Sequence, residues 1–176
     1  MAPVFEEVFR SLYGKPCWNV ELGLGSFLTF EFGKPHLVVR KPVTAKKDAP
    51  AKVQAHLAQR HAYVSGEWHL WISYCNWEVY LKGRHIGGSS TRQSARSAVD
   101  FLNGQKLVEF SISPRKVQST FLFDLGGVLK TLPYDRGSEQ WLLYVPPNKV
   151  LALRADARYR YGRSDKSADD REWKPI

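Results

Sequence analysis

The 176-residue chain carries 26 Lys and Arg against 17 Asp and Glu, a net charge of +9, and is 43% hydrophobic and 13% aromatic. That composition excludes a disordered chain and supports a core that needs neither metals nor disulfides. Two cysteines, Cys17 and Cys75, are too few for a secreted disulfide scaffold, so reduced thiols are expected, with a single bridge between the two as the alternative.

The opening MAPVFEEVFRSLYG has a Glu pair where a signal peptide needs an apolar run, and no segment approaches the roughly 20 apolar residues of a membrane span. A cytoplasmic protein without a membrane partner is expected. Within that opening, Phe5, Val8, Phe9 and Leu12 fall at i, i+3, i+4, i+7, which predicts a helix over 4–13 ended by a left-handed cap at Gly14. Alternation in CWNVELG and TFEFG predicts strands near 17–23 and 27–32, and a third is expected at 36–43. The basic stretch RKPVTAKKDAPAKVQAHLAQRH follows. Its Lys, Ala and Pro bias at 41–52 reads as an exposed loop, while 51–61 suits a helix by propensity and a strand by its join to the next hairpin. Turns are expected at Ser65 and Gly66, at YCNW, and at Gly83, on either side of the aromatic strand EWHLWIS. A second helix, ARSAVDFLNGQ, has Ser89, Ser90 and Thr91 as N-cap candidates and Gly104 at its end. Further strands follow in LVEFSIS, TFLFDLGG, VLKTL, EQWLLYV, KVLALRAD and RYRYG.

The two helices align at a shift of 90: Phe5, Val8, Phe9, Leu12 and Gly14 fall on Ala95, Ala98, Val99, Leu102 and Gly104. Val20 and Leu22 match Phe110 and Ile112 at the same shift, and Phe30 and Phe32 match Phe121 and Phe123 one residue later. HLVV is set against VLKTL, and Trp68 against Trp141 as equivalent core residues. The expected fold is therefore α+β and strand-rich, with two tandem helix-plus-antiparallel-meander repeats related by a pseudo-twofold axis. Residues 1–89 form the first repeat with a basic insertion near 41–60, residues 90–162 the second, and 163–176 a polar tail, all in one compact unit.

Catalytic signatures are missing. The chain has no GxGxxG, P-loop, GxSxG, HExxH or CxxC, and its five histidines lack ligand spacing, so no cofactor, metal or catalytic residue is assigned. The carboxylate pairs Glu6 with Glu7 and Asp169 with Asp170 lie on a helix surface and in the tail, without an apolar wall to raise a pKa. A thiol enzyme would have to use Cys75, yet His69, six residues away on an extended strand, lies ~20 Å off, so Cys75 is expected to be a packing thiol. Binding is the remaining class. Residues peculiar to the first half, Lys41, Lys46, Lys47, Lys52 and Arg60 on the insertion and His69 and Trp71 on one strand face, are the candidate surface for a protein partner. The alternative is nucleic acid, held by Lys82, Arg84, Arg92, Arg96, Arg115, Lys116, Arg158 and Arg160, the last two in an Arg/Tyr alternation suited to stacking and phosphate contact.

The strand series LNGQKLVEFSI, FLFDLGGVLKT and EQWLLY resembles that of uncharacterised bacterial small α+β families grouped with the immunity proteins of polymorphic toxin systems. The resemblance covers the strand cores and the tryptophan, and implies a bacterial protein that binds and neutralises a partner without catalysis. Immunity proteins against basic nuclease toxins tend to be acidic; this chain is strongly basic.

Overall fold

The computed structural model describes residues 2–165 and 172–176. Helix α1 (Pro3–Arg10) begins with proline in its first turn, where the missing N–H costs nothing, and buries Phe5, Val8 and Phe9. The chain turns at Gly14, whose φ of 80° is the left-handed conformation expected of it. It then forms β1 (Cys17–Leu22), β2 (Leu28–Phe32), β3 (His36–Arg40), α2 (Ala51–Leu57), β4 (His61–Ser65), β5 (Trp68–Ile72), β6 (Asn76–Leu81) and β7 (Arg84–Gly88). Helix α3 (Arg92–Leu102) follows, N-capped by Thr91, whose hydroxyl accepts from the Ser94 N–H at 3.2 Å. The second half continues with β8 (Leu107–Ser113), β9 (Gln118–Phe123), β10 (Gly127–Leu132), β11 (Glu139–Val145), β12 (Lys149–Arg154), β13 (Arg158–Arg163) and the two-residue β14 (Lys174–Pro175). The fold is α+β and strand-rich, and every pairing is antiparallel.

Two sheets face each other across the core. The seven-stranded sheet runs β1-β2-β5-β11-β12-β13-β14 and the five-stranded sheet β7-β6-β10-β9-β8. Period-two alternation sends Phe30, Leu70, Leu143 and Leu151, with Leu28, Ile72, Trp141 and Leu153, inward from the first sheet. They meet Phe110, Phe121, Phe123, Leu129, Trp77 and Val79 of the second; Phe30 and Phe123 stack at 6.4 Å across the gap. The helices close the open sides. Phe5 of α1 reaches Phe110 of β8 and Tyr159 of β13, while α3 packs on β1 and β7.

Each half divides itself between the sheets. β1, β2 and β5 lie in the larger sheet, and the chain then crosses to β6 and β7 in the smaller; β8, β9 and β10 lie in the smaller, and the chain crosses back to β11 and β12. The crossings adjoin, since β5 pairs with β11 and β10 with β6. At the ends of α1 and α3 the backbone bonds are reciprocal. Gly14 donates to the Leu107 carbonyl and Gly104 to that of Cys17, both at 2.8 Å, while Leu107 donates to Lys15 at 3.1 Å and Cys17 to Gln105 at 2.8 Å. Against this frame two sequence alignments change. β3 leaves the sheet that β2 and β5 share, so HLVV is not placed like VLKTL. The fully buried tryptophans are Trp141 of β11 and Trp77 of β6, each in the strand after its crossing, whereas Trp68 is half-buried. Local alternation could not reveal this, because it does not say which sheet a strand joins.

The described end of the tail, 172–176, is not a solvated extension. β14 pairs with β13, Ile176 packs on the core, and the Trp173 ring lies over Arg154 and Arg160 at 4.6 and 5.0 Å. Asp169 and Asp170 lie outside the described residues.

Candidate functional site

The basic stretch belongs to a longer segment than its composition indicated. The segment begins at Gly33 and ends at Gly66, and consists of the β3–β4 hairpin with α2 at its tip; α2 has no buried residue, and none lies anywhere from 34 to 65. Helix and strand share the ambiguous stretch, with α2 ending at Leu57 and β4 starting at His61. Register places Leu37 opposite Val64 and Val39 opposite Ala62 on one face of the arm. Leu37, Val64 and Val39 are 67, 52 and 49% exposed, an apolar row with no cover. Lys41, Lys46, Lys47, Lys52 and Arg60 are all exposed between β3 and β4, Lys52 on α2 and the others on the connections to it. Arg40 is partly buried and donates to the His56 carbonyl at 3.2 Å, and the His56 and His61 rings lie 4.3 Å apart.

The arm overhangs the outer face of the seven-stranded sheet. Its root is held tightly: a Cβ on Gly66 would come within 2.5 Å of the Phe32 carbonyl oxygen, so only glycine lets the chain turn there. Between arm and sheet lies a cleft of about 850 Å³ whose lining includes Glu31, His69, Trp71, Tyr63, Tyr144, Lys34 and Lys149, closed on one side by Pro146 and Pro147. Glu31 is only 6% exposed, and its carboxylate accepts from the Gly66 N–H at 2.8 Å, the Ser65 hydroxyl at 3.3 Å and His69 Nδ1 at 2.8 Å. Cross-strand register sets Glu31, His69 and Tyr144 side by side on β2, β5 and β11. The His69 side chain keeps 29% of its surface exposed, and donation from Nδ1 leaves Nε2 as the ring atom available to a ligand. A second depression, on the β1 side of the arm, is lined by Trp18, Asn103, Tyr63 and Val64.

His69 and Trp71 share the strand face opposite Leu70 and Ile72, as alternation predicts, and that face borders the arm. Glu31, Tyr144, Tyr63 and Lys149 were not singled out. Glu31 was legible only as an acidic residue between two core phenylalanines, and the others come from strands whose adjacency no local pattern reveals. Cys75 does not share the His69 face, because β5 ends at Ile72 and the turn carries Cys75 inward. Both thiols are free and fully buried, and burial pushes each up to about 12. A thiolate nucleophile therefore has no support at either position.

The residues considered for nucleic acid do not converge. Lys82 and Arg84 sit at the β6–β7 turn, against the β9–β10 turn through the Lys82 N–H to the Gly126 carbonyl. Arg115 and Lys116, at the β8–β9 turn, are at the far end of β9, about 20 Å away. Arg92 and Arg96 lie on α3, which packs on β7, the edge strand that begins with Arg84 and lies across the sheet from β8; Arg92 donates to the Gly23 carbonyl. On the Arg/Tyr strand the two arginines differ, Arg158 keeping 55% of its side chain exposed while Arg160 is enclosed. Arg160 is 4% exposed, paired with Glu139 at 2.9 Å and covered by Trp173, and Arg158 lies 3.8 Å from Asp156.

Among the described residues no group of three or more His, Cys, Asp or Glu is placed to hold a metal, and no helix is long and apolar enough to cross a membrane. No family model matches the chain, and neither the curated proteins nor the solved structures contain a match.

Proposed function

We propose that this is a non-enzymatic binding protein that engages an acidic protein partner through the β3–α2–β4 arm, in the manner implied by the resemblance to bacterial immunity families, and acts in the cytoplasm. One observation carries the reading: an ordered segment of the chain buries none of its own side chains and displays an apolar row within a cationic frame. Apolar surface left uncovered on an ordered element costs solubility, and a partner that covers it recovers hydrophobic free energy. Residues 34–65 hold Lys34, Arg40, Lys41, Lys46, Lys47, Lys52 and Arg60 against Asp48 alone, so charge complementarity selects an acidic partner. The apolar row gives nothing to phosphates, which favours protein over nucleic acid.

The finer architecture belongs to the same proposal. We infer a tandem duplication with a pseudo-twofold axis between the ends of α1 and α3. The reciprocal backbone bonds, the paired crossings and the matching tryptophans at 77 and 141 support it. On this reading the arm is an insertion into the turn that the second half makes with Asp124, Leu125 and Gly126.

The test is affinity capture with wild type and with Leu37→Ser/Val39→Ser. An acidic protein retained by wild type and lost by the variant, at unchanged thermal stability, is the expected result. Equal retention by both would overturn the docking reading.

A further inference from the structure

We propose that the cleft beneath the arm is a receptor for a carboxylate borne next to an aromatic ring, presented by a peptide segment of the partner; this rests on the docking reading above. Glu31 is the starting point. A carboxylate this buried is costly unless fully satisfied, and here two of its three donors hold the arm root while the third is the His69 ring. The effect on His69 is to lock ring orientation and assign the proton at Nδ1 to Glu31, so that the opposite nitrogen is presented in a fixed direction.

The surroundings choose the ligand. Glu31 is occupied by its donors, and Glu67 accepts from the Lys34 backbone N–H at 3.0 Å. Lys34 and Lys149 carry the cations along the cleft lining, and Lys149 is steadied over the Tyr161 ring at 5.0 Å. Tyr63, Trp71 and Tyr144 supply aromatic walls, and Trp71 is buttressed edge-on by Phe27 at 5.8 Å. The two ammonium groups suit an anion, the Nε2 lone pair suits an N–H donor such as the backbone amide flanking that anion, and the ring faces suit a flat apolar group beside it. One wall of the cleft belongs to the arm itself, through His36, Tyr63 and Ser65, so a segment seated there also touches the element that docks the partner.

The probes are N-acetylphenylalanine and its amide, which differ only in the carboxylate, and the blocked peptide acetyl-Glu-Phe-Glu-amide. Binding is followed by NMR on the Trp71 indole and His69 ring signals. The acid should bind saturably with a Kd of about 1 mM, the range for a ligand of this size. The amide should bind at least tenfold more weakly, and the blocked peptide at least as tightly as the acid. His69→Ala and Lys149→Ala should each weaken the acid at least fivefold, whereas Leu37→Ser/Val39→Ser should leave it unchanged. Lys149 is exposed, so its variant keeps the fold. No saturable shift, equal binding of acid and amide, or indifference to both cleft variants would overturn the proposal. A free acid binding tenfold more tightly than the peptide would overturn a partner-borne source. Failure of these probes while the Leu37/Val39 variant still loses its captured partner would refute the cleft and leave the docking reading standing.

Discussion

Two kinds of buried residue in this protein differ in what burial does to them. Cys17 and Cys75 are enclosed thiols whose pKa is raised mainly by desolvation, from 9.0 to about 12. A folded pKa above the unfolded one means that each thiol contributes stability present below pH 9 and lost as pH climbs from 9 toward 12, because the unfolded chain ionises first. Urea midpoints for wild type should therefore fall between about pH 8 and pH 10.5 more steeply than those of Cys17→Ala or Cys75→Ala, each of which should cost about 1–2 kcal/mol at neutral pH. Native protein should resist alkylation until unfolded. Glu31 is a buried carboxylate held by three hydrogen-bond donors. Glu31→Gln should remove a charge-assisted bond to His69 at a cost of about 1.5–3 kcal/mol, and exchange of the Gly66 amide should accelerate as the arm root loosens.

Among the elements, the arm is the one whose loss the fold should tolerate. Residues 34–65 bury nothing of their own, loss of Ser65 and Gly66 opens Glu31 to water in place of those two donors, and the strands on either side, β2 and β5, pair directly from Phe32 opposite Trp68 to Leu28 opposite Ile72. Replacing residues 33–67 by Asn-Gly, the favoured two-residue hairpin turn, should leave a cooperative unfolding transition within a few degrees of wild type and abolish partner capture. A large fall in Tm would show that the arm stabilises the sheet. Helix α3 is more sensitive to a small change: Thr91→Ala removes its N-cap hydrogen bond to the Ser94 N–H and should cost about 1 kcal/mol, measured by denaturant midpoint at constant m.

For the whole molecule, the paired crossings and reciprocal helix ends make an equality testable. Gly14 and Gly104 have φ of 80° and 91°, and a Cβ at either would meet no atom within 4 Å, so both substitutions are governed by backbone strain alone. Gly14→Ala and Gly104→Ala should each cost about 1 kcal/mol, equal within measurement error, because each residue holds a left-handed φ in the turn after its helix and donates across the same seam. Unequal costs would mean that the two halves do not share the seam evenly. The dispersed cations make a second statement at this scale: retardation of DNA or RNA should vanish by about 150 mM salt, as expected when phosphate contacts are few and scattered.

Helix positions, most strand positions and the core side chains were legible in the sequence, because period and turn chemistry act over a few residues: Phe5, Val8 and Phe9 face inward, Gly14 and Gly104 take the left-handed φ of a turn although α1 stops at Arg10 rather than running to Tyr13, and Leu70 and Ile72 are buried while His69 and Trp71 lie on the other face. The insertion was visible as a change of composition and charge. Sheet membership was not legible. Whether β5 pairs with β11 or the chain crosses at Ser73 depends on contacts between residues 70 apart, and no local pattern distinguishes one antiparallel partner from another. For that reason Trp68 reads as a core residue like Trp141, whereas it is only half-buried. Arg160 looked like a phosphate ligand although Glu139 and Trp173 cover it, and the cleft stayed hidden because Glu31, His69 and Tyr144 come together only when three strands distant in sequence lie side by side.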